Sequence, residues 1–106
     1  MATKKRVLVS ERNGEFVVEP AITELTGADQ LRLLNNTDED LVWIVTNGNL
    51  FNGGAFNDTI QAHKLSNPKN AVNTPNFADF AAYQVFMTKS GKKAKGNSDP
   101  VIIVEN

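Results

Sequence analysis

The chain contains no cysteine. That absence excludes disulfides, thiolate catalysis, iron–sulfur clusters and thiolate zinc sites in one step, and it leaves the fold to stand on packing alone. Histidine is almost as scarce: His63 is the single imidazole. A mononuclear metal site would need at least two more convergent donors, and nothing near His63 has ligand spacing. Long apolar runs are missing too. No segment approaches the ~18 residues of a membrane span. After the basic start, only Val7, Leu8 and Val9 follow, well short of the roughly 7–15 apolar residues of a signal-peptide core. The expected location is cytoplasmic, although an exported protein expressed without its leader would read the same. No helix period persists for three turns, and no internal repeat occurs. Gly-x-Ser-x-Gly, the phosphate-binding Gly-x-x-x-x-Gly-Lys-Ser/Thr loop and Gly-x-Gly-x-x-Gly are all absent.

The 106 residues fit one domain over 1–106, and 41% of them are hydrophobic, an ordinary globular value. Net charge is −1, so no global field favours nucleic acid or membrane. Charge is unevenly placed. Between 11 and 40, Arg12 and Arg32 stand among Glu11, Glu15, Glu19, Glu24, Asp29, Asp38, Glu39 and Asp40, whereas 89–95 holds Lys89, Lys92, Lys93 and Lys95 with no acid. Charge runs of this kind ordinarily face water. Single-stranded nucleic acid would need exposed aromatics along a positive groove. Trp43, Tyr83 and Phe86 instead lie in apolar strand-like runs, so no nucleic-acid role is expected.

What is present reads as β-structure. Residues 6–10 form a β-branched run closed by Arg12-Asn13-Gly14, a tight-turn signal. Residues 16–18 stop at Pro20, and 21–25 continue as an extended piece up to Gly27. Leu31 and Leu33 share one face of 30–33, with Gln30 and Arg32 on the other. Residues 35–38 form a turn cluster. In 41–46, Leu41, Trp43 and Val45 oppose Val42 and Ile44. Both faces are apolar, so this strand should be central and covered on both sides. Residues 83–88 and 101–104 complete the series, with a hairpin-like turn at 89–92. One helical turn fits 77–82. Asn and Gly crowd 47–76, which reads as a long loop insertion, with 59–65 a possible strand inside it. About seven short strands of this kind imply an all-β, two-sheet antiparallel β-sandwich, with Trp43, Val45, Leu31, Leu33, Val85 and residues 101–104 in its core.

Particular residues resemble one family. Residues 33–45, Leu-Leu-Asn-Asn-Thr-Asp-Glu-Asp-Leu-Val-Trp-Ile-Val, look like the cupredoxin stretch in which a strand ends in Asn and a turn leads to the first copper-ligand His. Residues 83–87, Tyr-Gln-Val-Phe-Met, look like the later strand that runs up to the ligand Cys. Residues 16–27 and 96–104 are similar to that family's opening segment and closing strand. The resemblance spans about three quarters of the chain and leaves 47–76 unmatched. It implies a cupredoxin-like Greek key. In that register Leu41 stands where the family has its first His and Met87 where it has its Cys, and 88–91 offers no second His. A blue-copper site needs two His and one Cys. The resemblance therefore implies the scaffold without the metal, and no cofactor.

Function is not legible in the residues, because fold alone does not carry it. A non-enzymatic binding or interaction module, taking an unknown protein or small molecule, leads the readings. Its surface is expected in 47–76, at Asn49, Phe51, Asn52, Phe56 and His63, since function concentrates in loops held by rigid scaffolds. The alternative is a metal-binding or copper-handling protein using His63 and loop residues. A third reading is a subunit that pairs through a sheet edge. The expected state is a monomer or weak homodimer, with no catalytic residues.

Overall fold

Alternation of buried and exposed residues sets nearly every strand. The computed structural model describes residues 3–72, 79–94 and 99–105, and among them there are strands and turns but no helix. In chain order the strands are β1 (Lys4–Arg12), β2 (Glu15–Glu19), β3 (Ile22–Thr26), β4 (Gln30–Asn36), β5 (Leu41–Val45), β6 (Phe56–Ile60), β7 (Lys69–Asn70), β8 (Asp79–Ala82), β9 (Gln84–Met87) and β10 (Val101–Glu105). The expected β1–β2 hairpin is present. Arg12 pairs with Glu15, and the two residues between them, Asn13 and Gly14, both have positive φ. That is the mirror-image turn whose twist suits a two-residue hairpin.

Three hydrogen-bonded sheets result, ordered β2-β1-β4-β7, β3-β10-β8 and β6-β5-β9. The last two share a chain segment: only Tyr83 separates β8 from β9. Because β8 pairs with β10 and β9 pairs with β5, the two sheets join along 79–87 into one run, β6-β5-β9/β8-β10-β3. Inward residues from this run and from the β1–β4 sheet meet in one core. Val7, Val9, Leu31 and Leu33 come from one side; Leu25, Leu41, Trp43, Val45, Val85, Ile102 and Val104 come from the other. The arrangement is all-β and sandwich-like.

Two features correct the sequence-based expectation of a two-sheet, wholly antiparallel sandwich. The hydrogen-bonded sheets number three, and two pairings, β1 with β4 and β3 with β10, are parallel. The cause lies in the connections. The chain leaves the first sheet after β2, enters the other layer as β3, and returns as β4 alongside β1. Parallel neighbours need such a crossover, and side-chain alternation carries no trace of it. Among the described residues the strands also number ten rather than about seven, partly because a single continuous segment divides at Tyr83.

Local differences have physical causes. The helical turn expected over 77–82 is replaced at its described end by β8. There Ala81 and Ala82 pair with Ile102 and Val101, so tertiary pairing overrides alanine's helix preference; residues 77 and 78 lie outside the described residues. β4 runs on to Asn36, because Asn35 and Asn36 pair with Val9 and Ser10. The stretch 47–76, expected as a loop, holds β6 at Phe56–Ile60, earlier than 59–65, and the short β7 at Lys69–Asn70. β5 is central in its sheet, but only Leu41, Trp43 and Val45 are buried, while Val42 and Ile44 are half-buried. Likewise Ile102 and Val104 enter the core while Val101 and Ile103 face outward.

Candidate functional site

The first locus is the sandwich end where β5 begins and β9 ends. Leu41 and Met87 are direct cross-strand partners there, with relative exposures of 0% and 1%. They fill this end of the core with hydrocarbon and thioether. Beside them Asn35, fully buried, organises the turn that follows β4. Its Nδ2 donates to the carbonyls of Glu39 (2.9 Å), Ile60 (3.0 Å) and Gln61 (3.2 Å). Its Oδ1 accepts from the Thr37 backbone N–H (3.2 Å) and hydroxyl (2.7 Å). One side chain thus ties the 37–40 turn to the end of β6.

Two acids of that turn, Glu39 through its carboxylate and Asp40 through its carbonyl, are engaged with the 88–90 turn. Glu39 Oε1 accepts from Lys89 N (3.1 Å), Ser90 N (2.9 Å) and Ser90 Oγ (3.1 Å). The Ser90 N–H, chief among these donors, holds the Glu39 carboxyl below the usual carboxylate range. Asp40 accepts from Ala62 N through Oδ1 (2.9 Å) and from Thr88 N through its carbonyl (2.9 Å). His63 stands at the rim, exposed, at φ 59°. Its Nε2 lies 2.8 Å from Asp38 Oδ1, and both side chains are well exposed. Among the described residues no group of three His, Cys, Asp or Glu side chains is placed to hold a metal ion.

The second locus is the wall built by 47–71. Here the residues named from sequence separate. Asn49 and Asn52 are exposed. Phe51 is 2% exposed and pairs with Ala71, so it supports the wall from inside and offers no surface. Phe56 is half-buried, edge-on to Trp43 at 5.0 Å and to Phe51 at 5.9 Å between ring centroids. His63 belongs to the sandwich end. A hollow of about 200 Å³ gathers Phe51, Asn52, Phe56, Pro68, Lys69 and Asn70.

Beside it runs a larger cleft, about 680 Å³, between β6 and residues 64–69. Among the described residues β6 pairs only with β5, at the edge of its sheet. The facing segment is fixed to β4: Ser66 N donates to the Leu33 carbonyl (2.8 Å), and Ser66 Oγ accepts from Leu33 N (2.9 Å). Lys69 crosses the cleft. Its ammonium is 2.6 Å from Asp58 Oδ2 and 4.2 Å from the Phe56 ring centroid, an ion pair with a cation–π contact beneath it. Sequence reasoning passed over Lys69 and Asp58 because an ion pair between strands distant in sequence leaves no local signal. The Phe56-Asn57-Asp58-Thr59-Ile60 alternation was the one available hint of an edge strand.

The sequence matches no family model, and no curated protein matches it.

Proposed function

We propose that this chain is a cupredoxin-like scaffold without a blue-copper site, working as a non-enzymatic binding module whose surface is the wall formed by 47–71. The observation that carries the reading is the Leu41–Met87 pair. At the place where the resemblance puts metal, two apolar side chains pack face to face out of solvent. The order of the pieces supports the scaffold: an extended segment 15–26 that changes sheets, a strand with a buried Asn35 near its end, and a closing strand beside the opening one of the second layer. The binding surface is supported by the open cleft along the unpaired side of β6, which presents Asn57, Asp58, Thr59 and Lys69 together.

Two measurements test it. Purified protein given Cu(II) and then dialysed should retain no stoichiometric copper; retained copper with the intense visible band of a blue-copper centre would overturn the absence of such a site. Amide chemical-shift mapping with a library of small polar fragments and short peptides should cluster at Asn52, Phe56, Asp58 and Lys69. Clustering on the opposite wall would remove the binding assignment while leaving the scaffold intact.

A second reading, metal binding through His63 and loop residues, rests on the His63–Asp38 contact, which brings two donors within 2.8 Å. Copper retained by the native chain and lost on His63→Ala would select it.

A further inference from the structure

The outward face of the β1–β4 sheet carries an arrangement that the binding wall does not use. β1 and β4 run parallel, with Lys4 opposite Gln30 and Arg6 opposite Arg32. Val7, Val9, Leu31 and Leu33 point into the core, so by strand alternation Lys4, Arg6 and Arg32 point out together. Neighbouring strands lie about 4.8 Å apart, which sets the two arginines side by side. Like charges directly opposite each other on a sheet are destabilising, yet here the register places them so. Among the described residues, none of the three cations takes part in an ion pair.

The nearby acids are occupied. Glu19, opposite Leu8, is paired with Arg12. Asp29 accepts from Thr3 N, Thr26 N and the Thr26 hydroxyl. Lys5, on the other face of β1, donates to the Glu24 carbonyl. The cations meanwhile border a small cleft of about 180 Å³ lined by Lys4, Lys5, Arg6, Gln30 and Arg32.

We propose that this cleft binds a phosphate group, free or as a monoester. Two adjacent guanidiniums offer paired N–H donors matched to an oxyanion, and Lys4 adds a point charge. The Gln30 amide supplies a neutral donor at the edge of the cleft. The concentrated positive charge favours a dianion over a carboxylate. Bound phosphate would also relieve the Arg6–Arg32 repulsion.

The test is an amide and side-chain NMR titration of the full chain with inorganic phosphate, run at constant ionic strength against chloride and acetate. Saturable shifts at Arg6, Gln30 and Arg32 with phosphate alone are expected, and Arg32→Gln should weaken them roughly tenfold, the loss of one bidentate charge-assisted contact. Equal shifts with chloride would overturn the proposal, as would saturation with acetate at the same concentration, which would assign the cleft to carboxylates. A thermal melt reads it independently. Phosphate should raise the native midpoint, and Arg32→Gln should raise the phosphate-free midpoint while diminishing the phosphate response. A variant that melts lower without phosphate would show Arg32 to be a structural residue and would sink the idea.

Discussion

Leu41 and Met87 face each other across the β5–β9 pair, and neither touches solvent. Their contact is hydrophobic packing at a strand end. Leu41→Ala should therefore cost about 2–5 kcal/mol, since the lost transfer energy is joined by a cavity that strands on both sides prevent from closing. Met87→Leu should cost less than about 1.5 kcal/mol, because volume is nearly kept. Urea unfolding of the two variants checks this. A Leu41→Ala change that is nearly neutral would mean that the end of the sandwich is loosely packed.

Trp43 is the largest fully buried side chain, in edge contact with Phe56 and Tyr83. Trp43→Ala should destabilise by about 3–5 kcal/mol. Trp43→Phe should cost distinctly less. Among the described residues the indole Nε1 has no hydrogen-bond partner, so the phenyl ring keeps much of the packing and removes a buried, unsatisfied donor. Equilibrium denaturation of both variants gives the comparison. A Phe variant as unstable as the Ala variant would point to a hydrogen bond made by the indole.

Strands with one buried face were legible in the sequence. Leu31 and Leu33 against Gln30 and Arg32, or Asn13-Gly14 between two β-rich runs, report local conformation directly, and both features stand in the structure. Sheet order was not legible, because parallel pairing of β1 with β4 depends on where the chain crosses between layers. The residues named from sequence separate in the structure: Asn52 and Phe56 line a hollow in the 47–76 stretch, whereas Phe51 is buried in the core, and aromatic content alone could not tell the two phenylalanines apart. Asn35 looked like a turn residue. Its burial follows from β6 arriving beside it from 25 residues away, a contact that no window of sequence contains.

Asn35 makes its own prediction. Its amide donates to three carbonyls and its oxygen accepts from Thr37. Asn35→Ala should cost about 1–3 kcal/mol, the penalty for unpaired buried groups. Asn35→Asp should be worse at neutral pH, because a carboxylate would face three carbonyl oxygens with no proton to offer. The order of stability should be Asn, then Ala, then Asp, with faster hydrogen exchange at the Lys89 and Ser90 amides as the 37–40 turn loosens. An Asp variant equal to the native chain would break the argument.

Asp29 links the two layers. It is 2% exposed, and its carboxylate accepts from Thr3 N (2.8 Å) just before β1 and from Thr26 N (2.9 Å) and Thr26 Oγ1 (3.0 Å) at the end of β3. The Thr26 N–H, then the Thr3 N–H, hold its carboxyl below the usual aspartate range against the opposing effect of burial. A carboxyl with a depressed folded-state pKa binds protons more readily in the unfolded chain. Its stabilising contribution is thus fully present above the ordinary aspartate value and is lost as pH falls through the depressed one. Asp29→Asn keeps one acceptor but turns an amide donor toward the Thr26 donors. The native chain should therefore exceed the variant in stability by a margin that is constant near neutral pH and shrinks under acid, as native Asp29 becomes protonated. Urea midpoints of both proteins from neutral pH down to the acid limit of folding measure that margin. A margin independent of pH would show that the charge on Asp29 contributes nothing and that the side chain serves by shape alone.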